Sequence, residues 1–232
     1  MKILNTLIII LPIFITSCNK DEYNSHQREF TYDFKNSYEG WIGGFADHSD
    51  TVGIGYDLCF ERTKLPLPLN TSNYALKVGG TNRSDDLFMF IKKKIIGLEP
   101  NKTYKIQFDV EFASNVPNNQ FGVGGAPDAV MMKVGATIIE PISSLNLSES
   151  IYRMNIDHGQ QRAEGKNMIN IGTIGVADET TQYTMISLNN KNKLFETTAS
   201  SKGELWVIVA TDSGFESRTE LYYTKISLIL NP

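Results

Sequence analysis

Between residues 103 and 112 the chain alternates without a slip: Tyr104, Ile106, Phe108, Val110 and Phe112 are apolar, and Lys105, Gln107, Asp109 and Glu111 stand between them. A period of two places the first set on one face of a strand and the second on the other, so the segment predicts a half-buried β-strand. Shorter runs of the same kind recur. Residues 74–78 alternate and stop at Gly79-Gly80; residues 87–96 are dense in apolar side chains and stop at Gly97. Further strands are predicted at 130–139, 151–156, 168–174, 183–188, 204–210 and 221–230, with turn-forming residues between them. No long segment keeps an apolar period of 3.6, and the one short helix predicted lies within 141–149, where Ser143 or Ser144 would cap it. Many short strands divided by turns predict an all-β fold, a single antiparallel β-sandwich of the jelly-roll kind.

The start of the chain follows another pattern. Lys2 is positive, the stretch 4–15 is apolar but for Asn5 and Thr6 and has Pro12 in it, and Ile15-Thr16-Ser17-Cys18 ends in small residues and a cysteine. The apolar run falls short of the roughly 20 residues a helix needs to cross a bilayer. It resembles a bacterial lipoprotein signal, which implies cleavage before Cys18, lipid on that residue, and a membrane partner reached through the lipid anchor. Asn19-Lys20-Asp21-Glu22 resembles the export string of Bacteroidota lipoproteins, which implies the outer membrane and exposure at the cell surface. The expected organisation is a signal peptide over 1–17, a lipidated tether over 18–29 and the sandwich over 30–232.

Charge narrows the partners. The formal net charge is −4, and loss of Lys2 would make it one unit more negative. The longest basic run, Lys92-Lys93-Lys94, sits beside Ile91 and Ile95 and would alternate between strand faces, so no stripe for phosphates forms and nucleic acid is not an expected partner. With Cys18 committed to lipid, Cys59 has no thiol to pair with. It is expected to be a buried, inert residue in a fold without disulfides.

Two blocks carry a resemblance of fold. Tyr74-Ala75-Leu76-Lys77-Val78, followed by Ile96-Gly97-Leu98-Glu99-Pro100-Asn101-Lys102-Thr103-Tyr104, resembles a passage of the galactose-binding-like jelly rolls used by many carbohydrate-binding modules. In the second block Pro100 fixes φ, Asn101 tolerates the left-handed region and a strand starts at Thr103. Leu221-Tyr222-Tyr223-Thr224-Lys225-Ile226 resembles the closing strand of that fold, which implies a place beside the first strand. Relatives often carry Asp or Asn where Thr224 and Lys225 stand, a departure that bears on their usual calcium site.

Candidate chemistry gathers in two stretches. In Asn82-Arg83-Ser84-Asp85-Asp86, vicinal carboxylates beside an Asn oxygen suit calcium, and Arg next to Asp suits the paired hydroxyls of a sugar. Asn82, Arg83, Asp85 and Asp86 are therefore candidate ligand-binding residues. In the segment 38–48, Gly43-Gly44 permits a close backbone approach, Trp41 and Phe45 offer flat faces for a pyranose ring, and Asp47 adds a carboxylate. Trp206, inside Leu205-Trp206-Val207-Ile208, is expected in the core. No cofactor is expected beyond a structural calcium ion, and no metal-ligand set can be named, since His26, His48 and His158 show no ligand spacing. Asp157-His158 with Ser84 or Ser213 could make a hydrolase triad, yet nothing in the spacing positions them, and no catalytic residue is assigned. The expected function is binding of a polar ligand, a glycan, by a surface-anchored domain. Two alternatives stay open: an interaction module of the envelope without a small-molecule site, and a polysaccharide hydrolase whose paired acids leave no mark in sequence.

Overall fold

The computed structural model describes residues 27–51, 55–176 and 181–232, so Cys18 and the signal lie outside the described residues. In chain order the strands are β1 (Arg28–Asp33), β2 (Ile42–Ala46), β3 (His48–Ser49), β4 (Cys59–Lys64), β5 (Tyr74–Thr81), β6 (Leu87–Ile95), β7 (Thr103–Ser114) and β8 (Met131–Thr137). They continue with β9 (Ser143–Asn146), β10 (Ile151–Met154), β11 (Met168–Thr173), β12 (Thr184–Asn189), β13 (Phe195–Thr198), β14 (Leu205–Ser213) and β15 (Arg218–Asn231).

The alternating run around Phe108 is β7, and its length organises one sheet. β12 pairs with its second half and β13 with its first. β15 is longer still, with β5 beside its first part and β1 beside its last, so that Leu230 faces Arg28. With β4 outside β5, these strands form an antiparallel seven-stranded sheet. The other large sheet has the order β11-β8-β14-β6-β2 and is antiparallel throughout. Consecutive strands β5, β6, β7 and β8 fall alternately in the two sheets, as do β14 and β15, which is the jelly-roll way of winding a sandwich. The closing strand does lie beside the first, and the turn before β7 has Asn101 at φ 57°.

Between the sheets, Phe108, Val110 and Ile226 from one side meet Val134, Val207 and Met89 from the other. A second, smaller cluster lies on the far side of the five-stranded sheet. Phe88 and Phe90 of β6 and Ile208 and Ala210 of β14 point away from the main core and pack with Ile156 and Met168. Both strands therefore read as continuous apolar runs, because both of their faces are covered. The cover is the stretch between β8 and β11, whose β9 and β10 form a small sheet with β3.

Several expectations are corrected. The helix expected within 141–149 is instead β9, paired with β10 around a turn in which Asn146 Oδ1 accepts the Ser148 amide at 3.0 Å. Pairing across that turn satisfies the backbone better than one isolated helical turn would. β2 escaped the periodicity because Gly43 and Gly44 hide its pattern; Cβ atoms there would collide with the rings of Phe60 and Phe90. Trp206 is on the outer, partly exposed face of β14, with Lys92 Nζ 5.3 Å from its ring centre. Cys59 is only half-buried, with Arg218 Nη2 3.8 Å from its sulfur.

Candidate functional site

Where β8, β14 and β6 lie side by side, the outer face of the five-stranded sheet turns from apolar to charged. Ala210 stands opposite Lys133, and Asp212, two residues on, stands opposite Phe88, so Lys133, Asp212 and Phe88 share one face. Lys133 is fully buried. Its ammonium donates to Asp212 Oδ2 at 2.7 Å and to the carbonyls of His158 and Ala163, both at 2.9 Å. All three of its donors are thus used, and two of them hold down the loop that crosses above the sheet.

That loop delivers His158. Its ring stacks on Phe88 with centroids 4.1 Å apart, Nε2 is 3.2 Å from Asp47 Oδ2, and Nδ1 is 3.6 Å from Asp212 Oδ2. Asp157, just before it, caps the amides of Gly159 and Lys166 at 3.1 and 3.0 Å. Gly159 has φ 74°, and a side chain there would strike the Ala163 carbonyl, so a glycine is needed for the turn.

Asp47 enters from the short link between β2 and β3, at φ 57°, with its amide bonded to Tyr152 O. Its Oδ1 accepts Arg153 Nη1 at 2.8 Å, and Arg153 is held in turn by Glu149 at 2.9 Å. Asp86 ends the turn before β6. The Ser84 hydroxyl is 3.1 Å from the carbonyl oxygens of both Asp47 and Asp86, which ties the two segments together. Asp47, Asp86, Arg153, His158 and Gln160 surround a hollow of about 300 Å³.

The charges in this hollow govern one another. Burial alone would discharge Asp47, but His158 and Arg153 overcome it and hold its carboxyl below the usual range. Burial also opposes the charge on His158, yet Asp212 and Asp47 push its pKa up to about 9. At Asp86 the same two cations, His158 and Arg153, are outweighed. Burial, reinforced by Asp212 and Asp47, pushes its pKa up to about 7. Its Oδ2 is 3.5 Å from Gln160 Nε2, and its Oδ1 is buried with no hydrogen-bond partner. Asp212 Oδ1 is likewise buried without a hydrogen-bond partner, whereas Asp47 Oδ2 faces His158 Nε2.

Of the residues singled out in sequence, Asp47 and Asp86 come together in the hollow. The others do not line it. Trp41 is 2% exposed in the main core, edge-on to Tyr32 and Phe34, and offers no face to a ligand. Asn82 is buried and structural, donating to Ser213 O at 2.8 Å and accepting the Ser84 amide. Arg83 is exposed, with Nε 3.5 Å from Gly55 O, and Asp85 is exposed at φ 57° with its carbonyl accepting Gln161 Nε2. Neighbouring positions in a tight turn point apart, which is why Asp85 and Asp86 do not form one acidic pair. Among the described residues, no group of three acidic, His or Cys side chains is placed to hold a metal ion.

The triad is not assembled either. Ser84 is turned to the two carbonyls named above, and the Ser213 hydroxyl bonds within its own turn to Phe215. Sequence reasoning missed Arg153, Gln160, Lys133 and Asp212. Lys133 and Asp212 had one available signal, since the unbroken apolar run before Asp212 implies a strand covered on both faces, and a charge at its end must then find a partner.

No protein-family model matches the chain, and no curated protein matches its sequence. Among solved structures, the chain is similar to the enzymatically active domain of tailspike protein 4 of bacteriophage CBA120, at 11% identity and TM-score 0.36, over 81% of this chain and 19% of that one. It thus spans about a fifth of that chain. It is similar over 81% of its length and 86% of the other's to TmCBM61, solved with β-1,4-galactotriose, at 7% identity and TM-score 0.34. A candidate sugar-binding protein of Bacteroides thetaiotaomicron matches at 11% identity and TM-score 0.40, over 84% of this chain and 89% of that one. Likeness at this level concerns the path of the backbone and assigns no residue.

Proposed function

We propose that this protein is a surface-anchored lipoprotein whose sandwich binds a neutral, hydroxyl-rich ligand, a glycan, in the hollow over Asp47 and Asp86. The observation that carries the reading is the buried Asp86 Oδ1 without a donor, in a hollow that Asp86 shares with Asp47, Arg153, His158 and Gln160. A buried acceptor left unpaired is costly, and a ligand hydroxyl supplies the missing proton. Charge balance then selects the ligand class. An anion would meet Asp47 and Asp86, and a cation would meet Arg153 and His158. A sugar hydroxyl both donates and accepts, so it suits a wall where the two signs alternate. The hollow is at the lower end of the range of about 300–1,000 Å³ for small-molecule sites, the size for one ring rather than a large cofactor.

Binding fits this geometry better than hydrolysis. Asp47 is engaged by two cations, which leaves it a poor base or nucleophile, and Asp86 stands without a second free acid. The test is glycan-array screening of the soluble domain, followed by calorimetry on the best ligand. Asp86→Asn should weaken binding about tenfold or more, because a hydrogen bond to a charged or strongly polarised carboxyl is worth roughly 1.5–3 kcal/mol, whereas Arg83→Ala should bind as wild type. Unchanged affinity in a folded Asp86→Asn protein would overturn the site, and an array without any bound glycan would overturn the ligand class.

A further inference from the structure

Gln160, Gln161 and Arg162 are consecutive, and each lines a different part of the surface. Gln160 walls the hollow over Asp86; Gln161 walls a second one of about 200 Å³; Arg162 walls that second one and a third of about 760 Å³. Gly124, Gly125 and Ala126 form the common rim of the second and third. The turn is fixed in place, because Gln161 Nε2 donates to the carbonyl of Asp85 at 2.9 Å, next to Asp86 itself. The three hollows therefore form a row that starts at the charged site and runs outward between two loops.

At the outer end stands Phe121, a fully exposed aromatic ring in a hollow also lined by the polar side chains of Asn119, Gln120 and Arg162. Packing gives no reason for it, since an exposed phenylalanine costs solubility and gains nothing from the core. A flat apolar ring beside hydrogen-bonding groups is what the face of a pyranose meets well.

We infer that the site takes a glycan chain rather than a single sugar, with one residue in the hollow over Asp47 and Asp86 and the chain running past Gln161 to a stacking contact on Phe121. This rests on the glycan reading above and adds the ligand's length and direction. It makes Phe121 and Arg162 determinants of chain length, acting only when the ligand is long enough to reach them.

The probes are D-galactose, D-glucose, D-mannose and D-xylose, each against its β-1,4-linked hexaose, titrated into the soluble domain and followed by chemical-shift perturbation. For the sugar that binds, the hexaose should bind at least tenfold more tightly than the monosaccharide. Phe121→Ala and Arg162→Ala should remove most of that gain and leave monosaccharide binding as it was, while Asp86→Asn should weaken both ligands. Phe121 is fully exposed, so its replacement does not put folding at risk. Equal affinity for monosaccharide and hexaose, or a gain that survives Phe121→Ala, would overturn the chain reading and leave the glycan site standing. Absence of binding by every probe would overturn both.

Discussion

At His158 three forces meet on one ring: Phe88 stacks on its face, and its two nitrogens look at Asp47 and Asp212. The folded protein holds the His158 proton up to about 9, against an ordinary value of 6.5. Stability from this group is therefore complete below about pH 6.5 and is lost as pH rises toward 9. Asp86 acts in the same direction at lower pH. Its folded value of about 7 exceeds the ordinary 3.8, so the unfolded chain gives up this proton first and stability falls between those two values. The domain should resist urea better at pH 5 than at pH 8.5, by at most about 5 kcal/mol if both groups act in full, and by less where solvent screens Asp86. His158→Gln should flatten the alkaline part of the curve and Asp86→Asn the part below neutrality. Urea melts at a series of pH values check this, and a flat profile in the wild type would contradict it.

At the level of elements, the stretch between β8 and β11 is a cover pinned to the sheet by two lysines. Lys92 reaches Glu140 and the Pro141 carbonyl, both at 2.7 Å, near one end, and Lys133 reaches the carbonyls of His158 and Ala163 near the other. Lys133→Met should destabilise by about 3–5 kcal/mol, because Asp212 stays buried without its counter-charge. Adding Asp212→Leu should recover most of that loss, since a buried ion pair is worth little more than well-packed apolar side chains. Glycan affinity should not recover in the double variant, because the loop carrying His158 and Gln160 has lost both pins. Urea denaturation and calorimetry on the two variants separate these effects, and full affinity in the double variant would show that Lys133 serves stability alone.

Across the molecule, the candidate site and the first described residues lie at opposite ends of the longest strand. Arg28 pairs with Leu230, near the end of β15, whereas Arg218 at its start pairs with Thr81, next to the turn that leads to Asp86. From Arg218 to Leu230 the strand spans about 40 Å at roughly 3.3 Å per residue, so a chain tethered before Arg28 presents the site away from its attachment. In the proposed reading, attachment depends on Cys18. Cys18→Ser should leave an unprocessed precursor or release the protein from membranes, read by fractionation and gel mobility. A Ser variant that is still processed and still membrane-bound would exclude the lipid anchor.

The alternating run at 103–112 was sufficient to define β7, because a period of two sorts side chains between core and water whatever the rest of the chain does. The turn at Pro100-Asn101 was legible for a similarly local reason, as was the lack of a long helix among the described residues. Asp47 and Asp86 could be picked out as carboxylates in loops. Their meeting could not, because they are brought together by Ser84 and by strand register, and register is a relation between distant segments. Trp41 and Asn82 show the converse. Each has the chemistry of a ligand contact, and each is buried by neighbours that no local pattern reveals. Lys133 and Asp212 are charged residues in predicted strands, and only the tertiary fold, which lays a cover over them, makes them a buried pair that pins the loop carrying His158.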